Sequence, residues 1–367
     1  MDRIPIVRIC VLGKADVPVC SLARRLSTRG HEVHLVTALF EEDPPENVTV
    51  HPIALSGARI LSAGAGVARV IQRLRPELLH AFYLTSYGYL ASFVRGLPVL
   101  ATAMGTDVFG APELSPFLAP VRRAMARRAI RRADRIHSVA AHMTRRLVEL
   151  GADPARIDTF ARGISLERFP PARRSVPPSP PWRLLCNRRL EPIYDHAVLI
   201  RAAKRLQQAG VPFELRIVGR GSLRSKLARL VGELGLDEVV RIESPVAHEG
   251  VPALLAGSDV LVTASRSDGT SSCLLEAMAA GCIPVVSGIE ANRPWISDSD
   301  NGFVFAAGDD EALARAIRRA IESASRWESI RLANRRRVEM DGSFERGCDR
   351  IEGIYSRMTE RREKYGH

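Results

Sequence analysis

Two series of short apolar runs alternating with amphipathic stretches, parted by PPARRSVPPSPP at 170–181, constrain the fold of this chain more than any other feature. The first series runs VRICVL (7–12), a helical stretch from Cys20 to Gly30, Val33–Thr37, Leu78–Ala81, Pro98–Thr102 and ADRIHSVA (133–140). The second runs Trp182–Leu185, a helix over 196–209, FELRIVGRGS (213–222), a helix over 223–234, VVRIES (239–244), VPALLAGSDVLVTAS (251–265) and a helix over 312–323. Such alternation predicts an α/β protein with parallel sheets. The proline-rich stretch has no apolar period and predicts a domain boundary. A chain of 367 residues then divides into a domain over 1–169, a linker over 170–181, a domain over 182–342 and a last helical segment over 343–367. That segment carries Phe344, Ile351, Ile354 and Tyr355 at helical spacing.

The most specific chemistry lies in SRSDGTSSCLLEAMAAGCIP, residues 265–284. A strand ending near Ser265 enters a small polar loop, Asp268-Gly269-Thr270-Ser271-Ser272, and a helix starts at about Cys273 and stops at Gly281, with Pro284 beyond. Free N–H groups at a helix start favour an anion such as phosphate. Asp268 and Glu276 flank that position, and carboxylates beside a phosphate site suit hydroxyl groups. A ligand with both features is a nucleotide sugar.

This segment resembles the signature of retaining glycosyltransferases of family 4, in which two acids with seven residues between them accompany an LLEAMA-like helix. The resemblance extends to RGHEVHLVT (29–37), TAMGTDVFG (102–110) and ARGISLERF (161–169). It implies a GT-B fold: two Rossmann-like domains facing a central cleft, the first for acceptor and the second for donor, with the last helix crossing back to the first. It implies transfer of a hexosyl unit from a nucleoside-diphosphate sugar to a hydroxyl acceptor with no metal or cofactor, by a front-face route. In that route the departing phosphate takes the acceptor's proton. Catalytic positions carried over are Asp268, Arg189 and Glu276. Donor contacts are expected from Arg189, Gly219, Pro245, Val246, Asp268, Gly269, Thr270, Ser271, Ser272, Leu274 and Glu276, and acceptor contacts from Gly13, Lys14, Asp16, His80, Thr106 and Asp107. Arg189 matches the arginine of the family's Gly-Arg-Leu, but the lysine five residues later is Tyr194 here, a histidine of the TAMGTDVFG segment is Met104, and the first acid is aspartate. These departures keep open a degenerate module that binds sugar without catalysis.

The net charge is +12, and only four of the 53 basic residues are lysine. In VRRAMARRAIRRA (121–133), Met125, Ala126, Ala129, Ile130 and Ala133 fall on one side and Arg123, Arg127, Arg128, Arg131 and Arg132 on the other. Such a face suits an anionic membrane surface, a lipid-linked acceptor, or solvent. A sugar transferase acting on nucleic acid is the alternative the charge suggests, but aromatics make up 5% of the chain and none cluster near the basic runs. No apolar run is long enough to span a bilayer, and six cysteines without CxxC spacing suggest reduced thiols. The expected location is therefore cytoplasmic, or peripheral at the inner membrane face. Acceptors in keeping with it are a cell-envelope polysaccharide, a glycolipid or a natural-product scaffold. Asp298-Ser299-Asp300 has the form of a metal-binding DxD but precedes Asn301-Gly302, a turn.

Overall fold

The computed structural model describes residues 6–55, 60–109, 116–171 and 179–365, with side chains from 6–55, 60–109, 117–171 and 179–360. Most of the expected linker, at 172–178, lies outside the described residues. The chain forms two compact units: Met1–Arg162 together with Glu345–His367, and Gly163–Phe344.

The first unit holds a seven-stranded sheet of β1 (Arg8–Leu12), β2 (Glu32–Thr37), β3 (Thr49–Pro52), β4 (Leu78–Phe82), β5 (Val99–Ala103), β6 (Arg135–Ser138) and β7 (Ile157–Thr159). Its order is β3-β2-β1-β4-β5-β6-β7, and every pairing is parallel. The second unit holds β8 (Trp182–Asn187), β9 (Phe213–Val218), β10 (Val240–Glu243), β11 (Val260–Thr263), β12 (Ile283–Ser287) and β13 (Phe303–Phe305). Here the order is β10-β9-β8-β11-β12-β13, again all parallel.

Central strands of parallel sheets are covered on both faces, so they read as continuous apolar runs. LLHAF of β4, VLATA of β5, VLVT of β11 and IPVVS of β12 are buried at every position. In register, Leu184 of β8 lies between Leu215 of β9 and Val260 of β11. The helices His196–Gln208 and Asp310–Glu322 add Val198, Leu199, Leu206, Leu313 and Ile317 to that core. All six cysteines are buried, and none forms a disulfide.

Strand order reverses direction once in each sheet, between β1 and β4 and between β8 and β11. At such a point the loops leaving the carboxyl ends diverge to opposite faces and open a crevice, the usual ligand position in open α/β sheets. The first unit is completed by the helix Phe344–Tyr365. Its Tyr355 hydroxyl meets His80 Nδ1 at 2.7 Å, and its Glu352 pairs with Arg29 and His31. No helix among the described residues is long and apolar enough to cross a membrane.

Candidate donor site

In the second unit the reversal brings together the ends of β8 and β11. Arg188 is the residue after β8, and Asp268 lies in the loop that leaves β11. Arg188 Nη2 donates to Asp268 Oδ2 at 2.5 Å, and Nη1 donates to Ser271 Oγ at 3.0 Å and Cys273 Sγ at 3.4 Å. Its guanidinium carbon stands 4.2 Å above the centre of the Tyr194 ring. The side chains of Arg188 and Asp268 are only 11% and 18% exposed. Burial alone would lower the arginine's pKa, but Asp268 opposes it and holds the group well above its ordinary value. Arg188 Nε is buried without a hydrogen-bond partner.

The helix Ser272–Ala280 begins one residue earlier than the sequence suggests, and its N-cap is Ser271, whose hydroxyl accepts from Leu274 N. Ser271 wins the cap because its extended backbone aims the side chain at the first turn. Gly281 ends the helix at φ +86°, a left-handed conformation that suits glycine. Glu276 lies in the second turn and is buried, as are Gly269 and Ser271; Asp268, Thr270 and Ser272 are partly exposed.

Several expected residues hold different positions. Arg189 is exposed, and the arginine inside the constellation is its neighbour Arg188. Both arginines lie past the end of β8, and the chain there turns the first of them toward the loop after β11 while the second stays exposed. Arg188 occupies the glycine of Gly-Arg-Leu, which is why motif matching passes over it. Leu274 is fully buried among core side chains, so it supports the helix rather than meeting a ligand. Gly219 is required by the chain's own backbone: a Cβ there would stand 2.1 Å from the Arg188 carbonyl oxygen, and one at Gly221 would stand 2.4 Å from that of Leu190. The loop after β9 thus seats the Arg188–Leu190 segment. Pro245 and Val246 are exposed just beyond β10. His196, at the start of His196–Gln208, is buried with neither ring nitrogen partnered, and burial with Arg188 nearby lowers its pKa to about 4.

In the first unit, the matching reversal places Asp16 against Tyr83, whose hydroxyl donates to Asp16 Oδ2 at 2.6 Å. Asp16 also caps Val17–Thr28 through Val19 N. Gly13 is buried, and Lys14 pairs with Glu41. Two expected acceptor residues are corrected. His80 is fully buried, with Nδ1 on Tyr355 and Nε2 on Thr102, so no edge of the ring is left for a ligand. Asp107 is buried; one oxygen accepts from Met104 N and Gly105 N and the other from Leu84 N, tying together the loops after β4 and β5. Thr106 is exposed and, with Thr85, Arg122, Arg123 and Arg146, lines a cavity of about 110 Å³. Asp298 accepts from Val304 N and pairs with Arg319, which fixes the turn before β13.

Two family models match adjacent stretches: residues 17–168 match Glycosyltransferase Family 4, and 171–337 match Glycosyl transferases group 1. The chain belongs to the GT-B glycosyltransferases. This glycosyltransferase is 26% identical to the D-inositol 3-phosphate glycosyltransferase of Thermomonospora curvata, covering 94% of this chain and 90% of the relative. In fold it is similar to the sucrose-phosphate synthase of Thermosynechococcus elongatus, with a TM-score of 0.82, 16% identity and coverage of 95% and 98%. HepE of Anabaena, solved in complex with UDP-glucose, superposes with a TM-score of 0.76 at 17% identity, covering 95% of this chain and 99% of that one. The site described above falls within the stretch that matches the group 1 model.

Proposed function

We propose that this glycosyltransferase moves a hexosyl unit from a nucleoside-diphosphate sugar to a hydroxyl acceptor with retention of configuration. The observation that carries the reading is the arrangement at the β8–β11 reversal: a buried guanidinium, the start of Ser272–Ala280, and the carboxylates Asp268 and Glu276. The diphosphate lies at the helix start, where N–H groups and the guanidinium stabilise charge developing on the leaving oxygen. Asp268 and Glu276 accept from hydroxyls of the transferred sugar and the ribose. Leaving-group phosphate serves as base toward the incoming hydroxyl, so no resident metal and no protein nucleophile are required in this scheme. Pro245 and Val246, at the rim beyond β10, suit the base. UDP-glucose, which HepE binds, is the first donor to test.

On the acceptor side, the cavity lined by Thr106, Arg122, Arg123 and Arg146 suits a molecule carrying a phosphate or carboxylate. The inositol phosphate named for the Thermomonospora curvata relative is an acceptor of that kind. A lipid-linked acceptor is the second reading, favoured by one observation. Phe117, Leu118 and Val121 are 89%, 51% and 41% exposed beside the arginine face of Ala119–Arg132, a pairing that suits an anionic membrane surface.

The donor reading is tested by screening UDP-, GDP-, ADP- and dTDP-sugars for thermal stabilisation, then assaying donor turnover. Glu276→Ala should lower turnover with the stabilising donor by at least about 100-fold while the protein stays folded. NMR of the product's anomeric proton reads retention directly. Normal turnover in Glu276→Ala would remove that residue from the site, and donor binding without turnover would instead favour the sugar-binding module.

A further inference from the structure

The pair Arg188–Asp268 presents a conflict. In the proposed reaction both partners are needed elsewhere, the guanidinium on a diphosphate and the carboxylate on a sugar, yet here they hold each other. We propose that Arg188 is a latch opened by the donor: it holds Asp268 until the diphosphate takes the guanidinium and releases the carboxylate to the sugar. This rests on the reading of the second unit as the donor unit, and it adds a residue and an order of events to it.

Three observations support the exchange. First, the guanidinium is placed for an anion: it stands beside the start of Ser272–Ala280 and bonds the N-cap Ser271, next to the N–H groups that would share the phosphate. Second, its donor capacity is not spent. Nε is buried without a partner, and an arginine can offer a fork of N–H groups to a phosphate where it gives Asp268 one. Third, the position that would carry a lysine holds Tyr194, whose ring lies 4.2 Å beneath the guanidinium. The cation here is on residue 188, and the aromatic face beneath it favours the guanidinium whether or not Asp268 is bound. His196 beside it is held neutral by burial, so Arg188 meets no second cation there.

The swap also orders binding. A free sugar meets an Asp268 already engaged, whereas the same sugar attached to a diphosphate arrives with the group that frees it.

Isothermal titration of the full chain with UDP, GDP and ADP, each beside its nucleoside, tests the latch in wild type, Arg188→Gln, Asp268→Asn and the double variant. Arg188→Gln should weaken the best-bound diphosphate by roughly 10- to 100-fold, the value of one charge-assisted hydrogen bond, and leave its nucleoside unchanged. Asp268→Asn should tighten the same diphosphate several-fold, because the competing carboxylate is gone. If Arg188→Gln does not fold, the double variant, which carries neither charge, should show the same loss relative to Asp268→Asn. Weakening by both single variants alike overturns the latch and leaves a structural ion pair. Should wild type bind no nucleoside diphosphate while its cooperative unfolding is intact, the donor reading falls and the latch with it.

Discussion

Ser271 serves three neighbours. It caps Ser272–Ala280 through Leu274 N, accepts from Arg188 Nη1, and lies 3.3 Å from Cys273 Sγ. Ser271→Ala removes the cap, worth about 1 kcal/mol, together with one acceptor of a buried cation. The expected loss is about 1–2 kcal/mol in urea unfolding, with Ser271→Thr keeping most of it; an unchanged midpoint for the alanine variant would contradict the cap. At Gly219 the conflict is steric. A Cβ 2.1 Å from the Arg188 carbonyl must push the Arg188–Leu190 segment aside. Gly219→Ala should cost about 1–3 kcal/mol and weaken nucleoside-diphosphate binding as well, whereas Gly210→Ala, with open space at its Cβ but a φ of +69°, should affect stability alone.

The helix Phe344–Tyr365 is attached by polar groups as much as by apolar ones. Glu352 is 1% exposed and pairs with Arg29 and His31. Glu352→Ala leaves the Arg29 charge against Glu345 and Asp349 alone and removes the partner of His31, a loss of about 1.5–3 kcal/mol for hydrogen bonds to a charged group. Chemical denaturation followed by a probe in the first unit should show that loss; a change below about 1 kcal/mol would mean the helix is held by its apolar face. At this scale much was legible in the sequence. The apolar runs at Leu78 and Val99 became β4 and β5, because strands buried on both faces need no partner to be recognised. The short strands Thr49–Pro52 and Phe303–Phe305 were not legible, since three or four residues carry too little pattern. Within the site, the helix start and its two acids could be read from spacing. The role of Arg188 could not, because it depends on which of two adjacent arginines faces the loop after β11, and that is set by the path of the chain beyond β8, against which Gly219 packs. His80 is ambiguous in the sequence for a related reason: a polar residue at a strand end looks available until a later helix supplies the tyrosine that covers it.

Across the molecule, buried neutral imidazoles set the acid limit of stability. His80 Nε2 bonds Thr102 Oγ1, which also meets His137 Nδ1, and His137 Nε2 reaches the Phe160 carbonyl. Burial lowers the pKa of His80 well below its ordinary value, and those of His137 and of His196 in the second unit to about 4. Between pH ~6.5 and ~4 the unfolded chain therefore binds protons that the folded chain refuses, so stability is full above ~6.5 and falls as pH drops, by roughly 3 kcal/mol for each of His137 and His196 at the lower end. Urea midpoints at pH 7.5, 5.5 and 4.5 should decline in that order, and His137→Asn, at a cost in absolute stability, should flatten the slope. A flat profile in wild type would contradict the buried neutral network. The exposed patch makes a separate prediction. Binding to vesicles containing anionic phosphatidylglycerol should fall steeply with salt and with Phe117→Ser, and lack of binding at low salt would remove the membrane reading. Finally, the first unit is written in two pieces, Met1–Arg162 and Glu345–His367, with Gly163–Phe344 between them. A ribosome adding about 5–20 residues per second must therefore finish the whole intervening unit before Tyr355 exists to cover His80. The earliest-made part of this chain is therefore the last to be completed, and until then the His80 nitrogen that Tyr355 will cover has no such partner.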